Sequence, residues 1–223
     1  MDDCFSNPGA NTVDDRPSAY FDDIELNDNI NLVIEGGDTY SIKVEGGKNL
    51  ISSVTTEITD SVLTINNSMS CNWVRNYNNE LTVIVTSPAL KSINYESSGD
   101  INTPTCLNIT DLDLNVWGGS GSINLNIVSD KVNLRQHYGT VDFHVKGRAS
   151  ILTVYSNSYG PFYCEELNSD IVYIRSRGTN DCYIHANDIL EAEITSVGNI
   201  YYSGNPYNLS SQVTGSGKLI KIE

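Results

Sequence analysis

Three tyrosines, Tyr163, Tyr183 and Tyr201, recur at intervals of 20 and 18 residues. A tyrosine joins a flat apolar ring to a polar tip. Rings repeated on one outward face could form a platform for a sugar or for another protein. They could equally serve stability alone, since aromatic neighbours on adjacent strands support one another. Asp142 reads into the same outward column, where a carboxylate could hydrogen-bond a hydroxyl beside the rings. A second outward column holds Asn126, His144, Glu165, His185 and Ser203. Imidazole and carboxylate are metal-ligating groups, so His144, Glu165 and His185 are the candidates for an ion. With coils ~4.8 Å apart, the two histidines would stand ~9.6 Å apart. That is too far for one ion bound by short bonds unless the side chains lean inward. The simpler reading is an exposed ladder of compensated charge, whose pairs are individually weak. His137 joins neither column.

Motifs for other chemistry are missing. The chain has no phosphate loop, no H-E-x-x-H, no G-x-S-x-G and no EF-hand pattern. The nonapeptide calcium repeat of some β-helices is missing too. Polysaccharide-active β-helices need clustered carboxylates, or a base beside an acid. The nearest outward column reads Asp100, Ser122, Thr140, Pro161, Asp181 and Asn199, with no such cluster. Asp100 and Asp142 fall two coils apart in different columns. A binding or structural role is therefore expected ahead of an enzymatic one, and no cofactor is implied.

The elements that position these side chains come from a repeat. Gly99-Asp100-Ile101, Gly121-Ser122-Ile123, Gly139-Thr140-Val141, Gly160-Pro161-Phe162, Asn180-Asp181-Cys182, Gly198-Asn199-Ile200 and Gly217-Lys218-Leu219 share one pattern. Their spacings are 22, 18, 21, 20, 18 and 19 residues, and a recurrence near twenty marks a solenoid. Side chains alternate across a strand, so the second and fourth residues after each anchor share a face. The second-residue column is apolar throughout. The fourth holds Thr103, Leu125, Phe143, Cys164, Ile184, Tyr202 and Lys221, apolar in most coils. One such unit cannot bury its apolar side alone; stacked units form a continuous core. The expected fold is all-β, a right-handed parallel β-helix with coils of about 20 residues, the hand following the crossover preference.

Residues 1–15 are acidic, without apolar period, and are expected to form a flexible tail. Residues 16–89 contain alternating strands and short turns, including Glu35-Gly36-Gly37-Asp38 and Thr59-Asp60-Ser61. Short turns favour antiparallel neighbours, so hairpins covering the first end of the solenoid are expected here. Asn66 to Asn79, with Cys71, Trp73 and Tyr77, reads as a loop. The β-helix is expected over 90–223. Asparagine supplies 26 residues, which suits stacked corners and disfavours helices.

Net charge is −15, from 28 acidic and 13 basic residues. That sign argues against nucleic acid and against anionic lipid. No apolar run is long enough to span a membrane as a helix. Cys4, Cys71, Cys106, Cys164 and Cys182 form no C-x-x-C pair, and Cys164 and Cys182 read as small buried hydrophobes. No apolar signal segment follows Met1, so the chain is cytosolic or a mature or trimmed form. Composition favours the second.

The opening Phe21-Asp22-Asp23-Ile24-Glu25-Leu26 and Asn29-Ile30-Asn31-Leu32 resembles the head GIN domain family, the auto-transporter adhesins of Bacteroidetes. The turn Gly36-Gly37-Asp38-Thr39-Tyr40, the run from Leu81 to Ile93, Ser98-Gly99-Asp100-Ile101 and the closing Gly215-Ser216-Gly217-Lys218-Leu219 fit it in order. Asn29 stands where the family usually has the glycine of its name. The resemblance covers Arg16 to Glu223. It implies an extracytoplasmic β-helical protein of the cell envelope or surface, secreted or held by a lipid anchor upstream of Met1. The family carries an adhesin label that transfers little mechanism; the expected ligand, a glycan or a host or cell-surface protein, rests on the face of Tyr163, Tyr183 and Tyr201. A structural envelope scaffold is the alternative, and a polysaccharide-active β-helix enzyme a further one.

Overall fold

The computed structural model describes residues 8–69 and 80–223. Among them there is no α-helix, and one 3-10 turn, Ile51–Ser53, interrupts the strands. The central coils show why. In β12, Ser122–Gln136, residues Ile123, Leu125 and Ile127 point inward. A corner at Ser129 and Asp130 follows, and then Val132, Leu134 and Gln136 point inward from the second side. Ser129 Oγ bridges the corner, donating to the carbonyl of Thr110 or Lys131 at 2.9 and 3.0 Å. The next coils repeat this in β13, Asp142–Ser156, β14, Phe162–Ser176, and β15, Cys182–Ile194, each parallel to its neighbour. The expected β-solenoid is present, with antiparallel strands in its N-terminal part.

The N-terminal part is also wound into the solenoid. β2, Asp23–Asp28, lies parallel to both β6, Val62–Asn67, and β8, Ser92–Ser97. β3, Asn31–Glu35, lies parallel to both β7, Thr82–Thr86, and β9, Ile101–Asn102. The β2–β3 coil is thus inserted between two coils that follow it in sequence. The short turns here do not all make hairpins. Asp28 takes a left-handed φ of 63° and turns β2 into β3 as a corner. Gly36-Gly37 leads to β4, Ser41–Gly47, which pairs antiparallel with β7 and not with β3. The expected tight hairpin does form: β5, Val54–Thr59, pairs antiparallel with β6 across Asp60 and Ser61, at φ 50° and 69°.

Where a tail through Asp15 is expected, the chain enters the sheet at Asn11. β1, Asn11–Arg16, pairs antiparallel with β4. Its side chains are mostly exposed on both faces, so no apolar alternation announces it; it is held by the backbone ladder to β4 and by side-chain bonds from Asn11 to Glu45 and from Arg16 to the carbonyl of Ile51. Asn66 and Asn67 close β6, while residues 70–79 of the expected loop lie outside the described residues, as do Cys4 and Cys71.

The predicted inward columns are buried. Ile101, Ile123, Val141, Phe162, Cys182 and Ile200 are fully inaccessible. The core runs as one cluster from Phe21 to Ile200. It thins in the last coil, β16, Ile200–Ser203, β17, Asn208–Val213, and β18, Leu219–Lys221, where Leu209 and Val213 are exposed. One register differs from the repeat. Ile123 pairs with Phe143, and Phe143 with Phe162, so the coil at Gly139 is shifted by two residues. Val141 is still buried, but in the turn before β13. The cause is aromatic: the rings of Phe143 and Phe162 stack at 4.3 Å with planes 8° apart, a favourable pairing beyond area burial alone.

The outward column that follows the anchors has a structural task. Asp100 Oδ1 accepts the backbone N–H of Ser122 at 2.7 Å, and Asp181 Oδ1 that of Asn199 at 2.7 Å. Asn31 and Asn199 do the same for Asp100 and Lys218, at 2.9 and 3.0 Å. Each side chain satisfies a corner donor of the next coil, which otherwise lacks a sheet partner.

Cys164 and Cys182 are free, buried thiols, and Cys106 is free and exposed. Burial pushes the Cys164 thiol well up and the Cys182 thiol up to about 12. The thiolate is the reactive species. In the folded protein at about pH 8, iodoacetamide followed by peptide mapping will therefore label Cys106 and leave Cys164 and Cys182 unmodified; labelling of all three at one rate would contradict this core.

Candidate functional site

One side of the solenoid carries a column of stacked rings. Tyr163 pairs with Tyr183, and Tyr183 with Tyr201, in the parallel registers of β14, β15 and β16. Their centroids are 5.5 and 4.8 Å apart, with planes 19° and 8° from parallel. The two-residue shift in β13 places His144, not Asp142, next in this column. His144 pairs with Tyr163 and its ring stacks there at 4.8 Å and 20°. Asp142 sits two residues earlier on the same strand, opposite Ser122. The separations match the rise between coils, so the rings face along the solenoid axis. Their faces are covered by one another and their edges and hydroxyls point outward. Burial raises the Tyr183 pKa, with Asp181 and the flanking tyrosines adding to it, so this hydroxyl is a proton donor at neutral pH.

Beyond His144 the column becomes amide. Asn124 pairs with His144 and with Asn102, and Asn124 Nδ2 donates to Asn102 Oδ1 at 3.0 Å. A groove of about 540 Å³ opens here, lined by Asn102, Asn124, Asn126, His144, Lys146, Tyr163, Glu165 and Glu166 among others. Its wall follows from two bulges. The β13–β14 register breaks between His144 and Gly147, and the β14–β15 register between Cys164 and Asn168. Lys146, Glu165 and Glu166 lie in these breaks, where bulged residues are re-aimed away from the ladder.

The second predicted column does not assemble. His144 belongs to the ring stack, and Glu165 to a bulge. His185 pairs with Asn168 and Ser203 instead. Its Nδ1 lies 2.8 Å from Ser203 Oγ and its Nε2 3.1 Å from Asn187 Oδ1, so both ring nitrogens are engaged. Among the described residues no group of three His, Cys, Asp or Glu side chains is placed to hold an ion. Sequence reasoning reads Asn102 and Asn124 into the column of the tyrosines without naming them as ligand-binding, and it missed Lys146. Aligning Phe143 with Phe162 would have found the shift that unites them with His144. The arrangement offers amides, one ammonium, two carboxylates and ring edges at a partly enclosed surface. That is the chemistry of recognition by hydrogen bonds over an apolar ladder.

Solved structures share this architecture. The chain is similar to a "putative adhesin" from Bacteroides fragilis, with 22% identity, a TM-score of 0.86, and coverage of 96% of this chain and 97% of that one. A "putative lipid binding protein" from Parabacteroides distasonis matches at 20% identity and a TM-score of 0.65, covering 96% and 98%. A "putative adhesin" from Parabacteroides merdae matches at 21% and 0.63, covering 96% and 97%. At these identities the likeness is one of fold. No curated protein sequence matches the chain. The family model described as "Putative auto-transporter adhesin, head GIN domain" matches residues 20–206. The chain, with its coils wound from Phe21 onward and its ringed outer face, belongs to the head GIN domain family.

Proposed function

We propose that this protein is a non-enzymatic adhesin of the cell envelope, extracytoplasmic and secreted or lipid-anchored, that recognises a glycan in the groove at the His144 end of the ring stack. The observation that carries this is the convergence of Asn102, Asn124 and Asn126 on the exposed end of a stacked His144–Tyr163 column. Asparagine amides both donate and accept, matching the mixed donor and acceptor character of sugar hydroxyls. The family description and the adhesin neighbours support the reading. A groove lined by amides, Lys146, Glu165 and Glu166 suits hydroxyls better than an acyl chain, so a lipid ligand is disfavoured. The carboxylates of the corner column are committed to backbone donors, which supports a binding role over a hydrolytic one.

The site is shallow, so affinity is expected between the millimolar and high micromolar range, because little surface is desolvated. A glycan array probed with multivalent display of the protein tests this. Wild type is expected to bind a defined glycan set. An Asn124→Ala/His144→Ala variant is expected to lose at least about tenfold in affinity, or ~1.4 kcal/mol. Serine at Tyr163, Tyr183 and Tyr201 together should weaken binding as well, by removing the support beneath His144. Silence of the array, or equal binding by the double variant, would overturn the groove as the site.

A further inference from the structure

The second strand side of the coils ends in another ring stack that no part of the reading above uses. Trp117 lies in β11, Asp111–Gly119. Its indole stacks on His137 at 3.9 Å with planes 4° apart, and His137 tilts against Tyr155 at 5.6 Å. The register between β11 and β8 breaks at this residue: Val116 faces Tyr95, Gly118 faces Glu96, and Trp117 has no partner on β8. One indole face is therefore filled by His137, while the face toward β8 meets no ring among the described residues. Trp117 remains 48% exposed. At the end of the ladder this indole therefore has one stacked face and one without a ring partner.

We infer that the open face of Trp117 is a second, separate binding site, for a neutral pyranose sugar. Three observations set the ligand class. The first is the indole face turned away from His137, which meets no other ring and suits the C–H face of a sugar ring. The second is the rim. Asn94 and Asn115 pair across β8 and β11, and Glu96 lies beside Gly118, its Cγ 3.8 Å from where a Cβ on that glycine would sit. These groups supply donors and acceptors for ring hydroxyls, and the missing side chain at Gly118 leaves room for the ring. The third is charge. Arg135, the cation that acts on His137, is already held by Asp113 at 2.9 Å and Asn115 at 3.3 Å. Glu96 and a net charge of −15 disfavour an anionic sugar. His137 supports the indole as a neutral ring, since its partial burial, aided by Arg135, lowers its pKa.

The chain has two tryptophans, so Trp73→Phe leaves Trp117 as the sole indole emitter. This variant would be titrated with maltose, cellobiose, lactose and N,N′-diacetylchitobiose to about 50 mM, a range set by millimolar affinity. At least one is expected to shift the emission saturably. In saturation-transfer NMR the same sugar should lose its signal with Trp117→Ala and keep most of it with Trp117→Phe. It should bind undiminished to Asn124→Ala/His144→Ala, which separates this site from the groove. Galacturonate should bind more weakly than the neutral sugars. The inference is overturned if none of the four sugars moves the emission, if Trp117→Ala binds as wild type does, or if the acidic sugar binds better.

Discussion

Phe162→Ala will lower the stability of this protein by about 3–5 kcal/mol, the range for truncating a buried aromatic side chain. Phe162 is fully inaccessible and its ring is sandwiched in register between Phe143 and Cys182. The stack with Phe143 adds a favourable aromatic pairing to the lost area, so the upper half of the range is expected. The neighbouring coils are pinned by continuous backbone ladders, which limits collapse into the cavity. Thr140→Ala is the control. Thr140 is exposed, and its contact with the previous coil is its backbone N–H to the carbonyl of Gly119, which alanine keeps. Its cost is expected within about 0.5 kcal/mol. Urea denaturation of both variants checks the pair; equal midpoints would mean that Phe162 is not core.

Gly119→Ala is the second large effect, at about 3 kcal/mol or more, while Gly118→Ala costs under about 1 kcal/mol. Gly119 has φ +95°, where an L side chain is strained, and a Cβ there would land in the carbonyl oxygen of Ser97 in the coil beneath. That carbonyl also accepts the N–H of Ser120 at 3.0 Å, so it cannot turn away without losing a bond. Relief requires moving backbone in two coils. The Cβ of an alanine at position 118 would meet Glu96 Cγ at 3.8 Å, an ordinary contact with a flexible side chain. Thermal melts of the two variants decide this. A small loss for Gly119→Ala would show that the bulge positioning Trp117 is softer than its geometry implies.

The sequence made much of this molecule legible for a local reason. Strand side chains alternate with period two, so every apolar column could be placed inside or outside from the residues alone. Ile101, Ile123, Phe162, Cys182 and Ile200 are where the alternation puts them. The family resemblance was carried by turns and short runs whose order survives in one chain. The edge strand Asn11–Arg16 was invisible because neither of its faces is buried.

What determined the candidate site was not local. A shift of two residues leaves every side chain on its own face, so alternation is blind to it. The shift is set between coils, in the β12–β13 ladder and the packing of Phe143 on Phe162, and it exchanges Asp142 for His144 in the ring column. The same blindness hid the bulge that leaves Trp117 without a partner on β8, since a bulge is a property of two strands and the residues on one of them do not reveal it. Sequence alone therefore determined a β-solenoid, its inward columns and a face of tyrosines. The tertiary structure decided which rings touch, where the grooves open, and that the β2–β3 coil winds between later coils, because stacking between coils joins residues distant in the chain, whose pairing no local pattern specifies.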